Sequence, residues 1–384
     1  MSILLETPHA LLIDLARGFS TAGFVLNTAE FEVTVPYSAS LPKKRKRDSS
    51  TDATCEHGDE NNEAVTTGQF DEDYHSMMRE IIALGLREIR EGWNAEYRVR
   101  TGNEVVYDDK ENMDFVGLIS MVDSMRRNAM LEVNEGETIL NEDTELETTE
   151  IFHRLITNST RTTLNLSYAG SKYLIPPGST FLLSDIADIK ILAKHAERHG
   201  YFDLIVLDPP WPNKSISRSS AYMPIDAYDL HKIPIRRLLN PSGTGTIAVW
   251  CTNKPKFRRL VVEKLFPIWG VRLIEEMCWL KVTIQGEPVV NLESPHRKPY
   301  ERLIIGKMGI KSEVEVEKRV MVGVPSHNHS RKPPLHEILA THLPNTPRCL
   351  ELFARNLLPG WTSWGNEVLK FQNKKMFFAN EEDK

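Results

Sequence analysis

The stretch "FDLIVLDPPWPNKS", residues 202–215, joins a run of four apolar residues to one acid, two prolines and a tryptophan. An apolar run of this kind, bounded by turn residues, is typical of a strand that is buried on both faces, as in a parallel sheet covered by helices. The prolines end the regular structure, because each one fixes φ and lacks a backbone N–H. We therefore expect Asp208 at the carboxyl end of a central strand, where ligands bind in open α/β sheets.

The C-terminal half repeats this pattern of short β-rich runs and helical segments. Strands are predicted in "STFLLSDI", "GTIAVWCT", "VRLIEEMCWLKV", "YERLIIGKM", "KRVMVGVPS", "RCLELFA" and "GWTSWGNEVLKF". Helices are predicted at about 187–199, at about 254–265 and in "PPLHEILATHL" (333–343). Strands that alternate with helices indicate a doubly wound α/β domain. Asp185 and Glu351 are then expected near strand ends, as Asp208 is.

The first 150 residues have a different character. Residues 1–41 hold a short amphipathic stretch and the strand-like "EFEVTVPY", and residues 42–73 are polar enough to predict a disordered linker. Apolar residues at three- and four-residue spacing predict a helix over about 75–93, and "DFVGLISMVDSMRRNAMLE" predicts a second one. We predict a small, mainly helical domain over residues 74–150, whose acidic end "NEGETILNEDTELETTE" is a loop or a solvated helix face.

The predicted linker contains the basic run Lys43–Arg47, "KKRKR". Such a run is a solvated surface feature, a phosphate contact or a nuclear-import signal. Its compact form in an otherwise acidic segment favours import, so we predict a nuclear protein. The N-terminal "MSILLETPHALLIDLARGF" lacks a basic start and is interrupted by Glu6 and Asp14, which argues against a secretory signal.

Composition limits the possible partners. The chain of 384 residues is 41% hydrophobic and 26% charged, as in an ordinary globular protein. Its net charge of −6 argues against general polyanion binding, so any nucleic-acid contact requires a local basic patch. The four cysteines have no CxxC spacing and the twelve histidines are scattered, which predicts a reducing compartment and no metal site. No apolar run approaches the roughly 18–20 residues of a bilayer span, so no membrane partner is predicted.

The tetrapeptide Asp208-Pro209-Pro210-Trp211 suits chemistry on an adenine amine, although a rigid turn with a packed tryptophan is the simpler alternative. The amine is a poor nucleophile, because its lone pair is delocalised into the ring. A carboxylate and a backbone carbonyl that accept its hydrogens favour the pyramidal form, and proline adds no competing N–H. Trp211 offers a face on which an extracted base stacks. The rate then depends on positioning and electrostatics.

These residues resemble the Asp-Pro-Pro-Trp, MT-A70-like family of S-adenosylmethionine-dependent adenine-N6 methyltransferases. "DPPWPNKSISRSSAY", "ESPHRKPYE", "HSRKPPL" and "CLELFARNLLPGWTSWGNEVLKFQ" are similar to its methyltransferase-like protein four branch. The resemblance covers about residues 150–375 and implies a Rossmann-like methyltransferase domain over 151–384, with the catalytic motif before the donor-binding strand. It implies S-adenosylmethionine as cofactor. It also implies RNA as acceptor, in this branch a 2′-O-methylated adenosine of a spliceosomal small nuclear RNA, with DNA adenine as the alternative.

Carried over by position, the resemblance also implies the donor site. Asp185 and Ile186 would meet the adenine of the donor, Lys332 its carboxylate and Asp208 its amino group. The ribose would be surrounded by four residues, Arg355, Asn356, Asn366 and Glu367. The residues alone do not make these assignments: Arg355 is equally well explained as a surface cation, and "ELFAR" lacks the glycine-rich loop of ordinary nucleotide-binding turns.

Two polar loops supply predicted acceptor contacts. The loop after the motif contains Asn213, Lys214, Arg218 and Tyr222, and the loop "SPHRKPYE" contains His296, Arg297 and Lys298. Each is either a solvated surface loop or a clamp that holds the acceptor through hydrogen bonds, phosphate contacts and stacking. A base inside a duplex cannot present its amine to Asp208 unless it is extruded, so we predict a single-stranded or bulged acceptor.

Three classes of function are open at this point. The chain is an adenine-N6 methyltransferase, a non-catalytic RNA-presenting subunit of the kind this family contains, or a small-molecule methyltransferase. A degenerate subunit would be expected to lose the acid or the tryptophan, whereas Asp208, Trp211 and Lys332 are all present. The basic loops disfavour a small-molecule acceptor. We predict an active enzyme that works as a monomer.

Overall fold

The apolar runs of the C-terminal half become strands of one large mixed sheet. The computed structural model describes residues 2–37, 61–98, 136–142, 144–146, 148–184, 188–212, 227–294, 298–311, 314–328 and 330–379. The strands in these ranges are β1 (Ile3–Glu6), β2 (Ala10–Ile13), β3 (Phe24–Leu26), β4 (Glu137–Ile139), β5 (Thr144–Glu145), β6 (Leu155–Thr157), β7 (Leu164–Tyr168), β8 (Ser171–Ile175), β9 (Thr180–Leu183), β10 (Leu204–Leu207), β11 (Thr246–Cys251), β12 (Val271–Lys281), β13 (Tyr300–Met308), β14 (Glu317–Gly323), β15 (Cys349–Leu352), β16 (Thr362–Gly365) and β17 (Phe377–Ala379).

The helices vary widely in length. The α-helices are α1 (Leu15–Gly18), α2 (Asn61–Gly92), α3 (Thr148–Ile151), α4 (Ile189–His199), α5 (Ile235–Leu238), α6 (Pro255–Arg259) and α7 (Phe266–Trp269). A π-helical turn, Leu260–Leu265, joins α6 to α7 without a break. Short 3-10 helices lie at Thr28–Phe31, Ala227–Lys232, Ala340–His342 and Lys374–Met376. None of the helices in the described ranges combines the length and apolarity that a bilayer span requires.

Twelve strands form the large sheet, in the order β1-β2-β14-β12-β13-β11-β10-β15-β16-β9-β6-β4. Its centre is parallel: β11, β10, β15, β16 and β9 run in the same direction. Antiparallel pairs flank this centre, since β13 lies antiparallel to β11 and β6 lies antiparallel to β9. The fold is therefore mixed α/β.

The apolar run of the quoted stretch is β10, in the middle of this parallel centre. All four of its residues, Leu204–Leu207, are buried. Leu204 and Val206 pack into one apolar cluster, whereas Ile205 and Leu207 pack into another. Since successive side chains of a strand point to opposite faces, both faces of β10 are covered. The prediction of a fully buried central strand is confirmed.

The order of connections places a crevice beside β10. From β10 the chain continues to β11 on one side, whereas the later pair β15 and β16 lies on the other side. The strand order thus reverses between β10 and β15. In open α/β sheets the carboxyl ends of the strands at such a reversal bound the ligand crevice. Asp208 follows β10 at this edge, and the residues after β15 lie beside it.

Two predicted helices are observed with small shifts and one is wrong. The helix predicted at about 187–199 is α4, and the one predicted at about 254–265 continues through the π-helical turn to Trp269. The segment 333–343 instead forms turns and the short 3-10 helix Ala340–His342. Pro333 and Pro334 lack N–H groups, and Pro344 follows directly, so few helical hydrogen bonds can form between them.

The N-terminal residues are part of the large sheet. β2 pairs in parallel with β14, with Ala10 opposite Val320. Helix α2 packs over these strands through four buried residues at helical spacing, Met78, Ile82, Leu86 and Ile89. The amphipathic helix is therefore confirmed. It begins at Asn61 rather than near 75, so its first turns occupy part of the segment predicted as a linker.

The acidic end of the predicted helical domain is a further difference. It contains β4 and β5 rather than a loop or a solvated helix face. β4 pairs in parallel with β6 at the edge of the large sheet, and its Thr138 and Ile139 are β-branched residues that favour strands. The second predicted helix, 114–132, and the basic run Lys43–Arg47 lie outside the described residues. The division of the chain into domains stays a prediction.

Candidate active site

Asp208 lies where β10 and β15 end together. Its backbone N–H donates to the carbonyl of Leu352 at 3.3 Å, which ties the two strand ends. Its side chain accepts hydrogen bonds from Lys332 Nζ at 3.2 Å and from Arg355 Nη1 at 2.9 Å, both through Oδ2. Across the described ranges no group donates to the other oxygen, Oδ1. One oxygen of this carboxylate is therefore held by two cations, and the other is an available acceptor.

Asp208 is the centre of a row of alternating charges. On one side Lys332 also contacts Glu301 Oε2 at 3.1 Å, and the other oxygen of Glu301 accepts from Lys281. On the other side Arg355 Nε donates to Glu367 Oε2 at 3.2 Å, and Glu367 Oε1 accepts from Lys370 Nζ at 3.0 Å. We call this group the charge row; its members in order are Lys281, Glu301, Lys332, Asp208, Arg355, Glu367 and Lys370.

The contacts of the charge row shift the pKa values of Lys332, Glu301 and Glu367 toward their ionised forms. Loss of solvation lowers the pKa of Lys332, but the carboxylates of Asp208 and Glu301 outweigh it and hold that pKa above its usual value. Loss of solvation likewise raises the pKa of Glu301, yet Lys332 and Lys281 bring it down to about 2. The pKa of Glu367 is lowered in the same way by Lys370 and Arg355. Lys332 is therefore a cation at neutral pH, as recognition of a ligand carboxylate requires.

Two backbone features bring Arg355 and Glu367 to Asp208. Phe353, directly after β15, adopts φ 62°, a left-handed conformation that is uncommon for a non-glycine residue and turns the chain sharply. At the last residue of β16, a Cβ on Gly365 would lie 2.7 Å from the carbonyl oxygen of Ala354, so only glycine allows the two chain segments to approach. The loops after β15 and β16 thus meet beside the end of β10.

Glu351 is a second carboxyl group at this edge. It lies in β15 opposite Val206 of β10. Loss of solvation, followed by the nearby Asp208 carboxylate, raises the pKa of Glu351 to about 8, although Arg355 and Lys332 oppose the shift. This carboxyl group is therefore mostly protonated at neutral pH and can donate as well as accept a hydrogen bond.

A narrow cleft connects Glu351 with two of the predicted donor residues. Its lining consists of Phe19, Val206, Trp250, Lys332, Pro333, Pro334, Leu335, Glu351, Asn356, Leu358 and Trp361. Lys332 and Asn356 thus share one cleft with two indole rings. Apolar walls with a few polar groups are typical of small-molecule sites.

Trp211 anchors the turn that carries the motif. Its ring packs against Phe257, with 4.7 Å between the ring centroids, and its Nε1–H donates to the carbonyl of Trp250 at 2.8 Å. The backbone N–H of Trp211 donates to the carbonyl of Pro209 at 2.8 Å. The ring is only 7% exposed, so the motif is a rigid turn with a packed tryptophan. A stacking role for this ring on the target base stays a prediction.

Comparison with known proteins agrees with this geometry. The MT-A70 family model matches residues 202–367, from the start of the quoted stretch to Glu367 of the charge row. The human N(6)-adenine-specific methyltransferase METTL4 is 34% identical in an alignment that covers 94% of this chain and 82% of that protein. The chain belongs to the MT-A70 family. The resemblance seen in the sequence motifs is thereby confirmed.

Two further MT-A70 relatives differ in the nucleic acid that their names state. The N6-methyladenosine RNA methyltransferase MTA1 of Cryphonectria parasitica is 42% identical, over 52% of this chain and 60% of that protein. The DNA N6-methyl methyltransferase of Caenorhabditis elegans is 35% identical, over 55% of this chain and 57% of that protein. Similarity to these proteins therefore does not distinguish RNA from DNA as the acceptor.

The structure brings together part of the residue set expected for an MT-A70 enzyme. Asp208, Lys332, Arg355 and Glu367 are in direct contact, Asn356 lines the cleft with Lys332, and Asn366 immediately precedes Glu367. Eight predicted residues lie outside the described ranges: Asp185, Ile186, Asn213, Lys214, Arg218, Tyr222, His296 and Arg297. Lys298 is described and lies two residues before β13.

Glu301 and Lys281 contribute to the site without having been predicted. Glu301 is the last residue of the quoted "SPHRKPYE", whose basic residues are the predicted acceptor contacts. Lys281 ends a long strand. No local signal in the sequence identifies Glu301, because β13 also carries Arg302 and Lys307 and has no distinctive acid in an apolar run.

A cluster of metal-binding residue types lies at a distance from the charge row. Donor atoms of Glu137, His195 and His199 all lie within 4.8 Å of one another, and the two histidines are four residues apart on α4. Their spacing is a signal that sequence reasoning missed. Lys194 and Arg198 line the same cleft and would repel a divalent cation. We assign no metal there, and the expectation of no metal site stays a prediction.

Proposed function

We propose that this chain transfers a methyl group from S-adenosylmethionine to N6 of adenine in a nucleic acid. The observation that carries the proposal is the state of Asp208, whose Oδ2 is held by Lys332 and Arg355 while Oδ1 is left as an acceptor. The human relative is named an N(6)-adenine-specific methyltransferase, which supports the same reaction.

The residues at the crevice fit the chemical groups of S-adenosylmethionine. Lys332 would pair with the carboxylate of the donor, and Asp208 would accept from its amino group. Glu367 and Asn366 would hold the ribose hydroxyls, with Arg355 and Asn356 beside them. When bound, the donor supplies an electrophilic methyl group. In this proposal the domain is Rossmann-like and permuted, since the motif strand β10 precedes β15 and its ribose-binding loop.

The contribution of the protein to the reaction is to position and polarise the amine. The Oδ1 atom of Asp208 accepts one hydrogen of the amine, and the backbone carbonyl of Pro209 or Pro210 accepts the other. These two hydrogen bonds free the lone pair of the amine nitrogen. The turn anchored by Trp211 holds these acceptors at fixed geometry. The methylated amine loses its proton late, so a strong general base is unnecessary.

We further infer that the acceptor is RNA in a single-stranded or bulged form, a 2′-O-methylated adenosine of a small nuclear RNA in particular. This rests on the resemblance of the sequence motifs to the methyltransferase-like protein four branch and on the similarity to MTA1, which is named an RNA methyltransferase. DNA adenine is the second candidate, favoured by the relative from Caenorhabditis elegans. Action as a monomer and import into the nucleus through Lys43–Arg47 belong to the same proposal.

The decisive experiment supplies purified protein and labelled S-adenosylmethionine with matched RNA and DNA oligonucleotides. Each is prepared with and without a 2′-O-methyl group on one adenosine, and N6-methyladenine nucleosides are quantified by mass spectrometry. We expect most product from the single-stranded 2′-O-methylated RNA. Binding of the donor without N6 methylation of any acceptor would contradict the proposed reaction.

A further inference from the structure

Two lysines follow the strand next to the motif strand. Lys254 lies just before α6 and Lys256 in its first turn, a few residues after β11. β10 and β11 are parallel neighbours, so their carboxyl ends lie at one edge of the sheet. Lys254 and Lys256 are therefore on the same edge as Asp208.

Contacts through one ring connect these lysines to the motif. The Phe257 ring, which packs on Trp211 at 4.7 Å, has Lys256 Nζ 5.0 Å and Lys254 Nζ 6.0 Å from its centroid. Both ammonium groups thus lie close to the ring on which the tryptophan of the motif packs. Because these lysines and Asp208 follow neighbouring parallel strands, we expect phosphates that flank a nucleotide held at Asp208 to come within reach of them.

The charge of these two lysines is not neutralised. Other cations in this part of the chain are paired with carboxylates: Lys332 with Asp208 and Glu301, and Arg258 with Glu276. Lys254 and Lys256 are exposed, and no carboxylate of a described residue lies within ion-pair distance of either. In a chain of net charge −6, two such lysines beside the motif form a local excess of positive charge.

A third cation extends this excess along the edge. The side-chain amide of Asn253, the residue before Lys254, donates to the carbonyl of Tyr300 at 2.7 Å. That bond joins the loop after β11 to the first residue of β13, which lies two residues after Lys298. We call Lys254, Lys256 and Lys298 the basic rim.

We propose that the basic rim binds the sugar-phosphate backbone of the single-stranded acceptor next to the target adenine. Contacts with phosphates position a strand without reading its sequence, so the rim accepts RNA and DNA alike and leaves the choice between them to other groups. This inference rests on the proposed function for the identity of the bound nucleotide. The binding site itself is measured without catalysis.

The test compares variants of the full chain in a binding assay with a fluorescent single-stranded oligonucleotide, over a range of salt concentrations. In Lys254→Gln/Lys256→Gln we expect binding at low salt to weaken about tenfold or more, because two phosphate contacts are lost. The slope of log affinity against log salt should become shallower by about 1.4, since each contact to a single strand contributes about 0.7. Affinity for S-adenosylmethionine, measured by calorimetry, should not change.

Matched controls separate the rim from general charge effects. Lys264→Gln/Lys318→Gln removes two exposed lysines elsewhere, one in the same continuous helix and one at the start of β14, and should bind as wild type does. Lys254→Arg/Lys256→Arg keeps the charge and should keep affinity and slope. Wild-type affinity and slope in the Gln pair would overturn the proposal, as would an equal loss in the control pair or in the Arg pair.

The binding and methylation assays can fail separately. Suppose that the wild-type protein binds the oligonucleotide, that the rim variant binds it more weakly, and that no N6-methyladenine forms. The proposed reaction is then wrong, whereas the assignment of the basic rim is supported. If the wild type methylates and the rim variant binds and reacts equally well, the rim alone is wrong.

Discussion

Two carboxyl groups near the carboxyl ends of neighbouring strands have opposite surroundings. Asp208, after β10, contacts Lys332 and Arg355 directly. Glu351, in β15, makes no ion pair with any described residue, and its pKa is raised to about 8. They lie at one crevice, yet Glu351 has lost solvation without gaining an ion pair, and this loss is the largest cause of its raised pKa, whereas Asp208 has two cationic partners. Where the surroundings of two acids differ in this way, the acids take different roles.

The comparison assigns the charged role to Asp208 and the neutral role to Glu351. The cations on Asp208 leave an anionic acceptor oriented by the turn of the motif. A protonated Glu351 adds a hydrogen-bonding group to the cleft without a second negative charge. A site with both acids ionised would repel the carboxylate of an amino-acid ligand, whereas the observed arrangement leaves Lys332 to attract it.

The largest effect is expected from removing the charged acid. Asp208→Ala should lower methyl transfer at least about 100-fold, the scale on which loss of one preorganised electrostatic partner acts in enzymes. Asp208→Asn should also be inactive, because its amide group cannot pair with both Lys332 and Arg355. Rates are measured with the best acceptor, and circular dichroism checks that each variant is folded. Substantial turnover by folded Asp208→Ala protein would remove Asp208 from the mechanism.

The next effect separates two lysines that share one partner. Lys332 and Lys281 both contact Glu301, but only Lys332 contacts Asp208. Lys332→Ala should weaken binding of S-adenosylmethionine by about 1.5–3 kcal/mol, or roughly 10- to 150-fold, as expected for a lost hydrogen bond to a charged group. Lys281→Ala is the matched control and should weaken it much less. Equal losses in calorimetry would mean that Glu301, not Lys332, organises the donor site.

Much of this site is local in the sequence and some of it is not. The position of Asp208 follows from an apolar run that ends in prolines, and Lys332, Arg355 and Glu367 follow from resemblance in short motifs. The charge row as a whole cannot be predicted from short motifs, because the pairing of β12 with β13 is what places Glu301 and Lys281 in it. The burial of Trp211 depends likewise on Phe257, far along the chain. Long-range pairing of this kind leaves no mark in a local pattern.

The difference between local pattern and long-range pairing also explains the errors in the predicted fold. The helix predicted over 333–343 has the right apolar spacing, and Leu335 and Leu339 are buried as expected, but the prolines at its ends prevent a regular helix. The strand β4 was not predicted, because its three residues form a strand only through their pairing with β6. Tertiary context decides such short segments.

A smaller effect concerns the neutral acid and pH. Because the pKa of Glu351 in the folded protein is raised from the model-compound value of 4.5 to about 8, the folded state binds more protons than the unfolded state between these values. Its contribution to stability is thus complete below about pH 4.5 and is lost as pH rises through about 8. Glu351→Gln should remove this dependence. The melting temperature of the variant minus that of the wild type should therefore increase from pH 5 to pH 9. Parallel curves for the two proteins would show that Glu351 ionises normally.

The smallest expected effect is on the choice of sugar, and it separates Asp208 from the loop after the motif. In the proposed mechanism Asp208 acts on the base, whereas Asn213, Lys214, Arg218 and Tyr222, which lie outside the described residues, are predicted to hold the acceptor nucleotide. The 2′ position is where RNA differs from DNA. Substituting a loop residue that contacts the sugar should change the ratios of kcat/KM among 2′-O-methyl, 2′-hydroxyl and 2′-deoxy acceptors, by a few-fold each for one lost neutral hydrogen bond. Substituting Asp208 should lower kcat/KM for all three acceptors together. Single substitutions at the four loop positions, each measured with the three acceptors, make the comparison. Ratios that stay constant in every loop variant would mean that the sugar is recognised elsewhere, and the loop would lose its assigned role while the role of Asp208 would be unaffected.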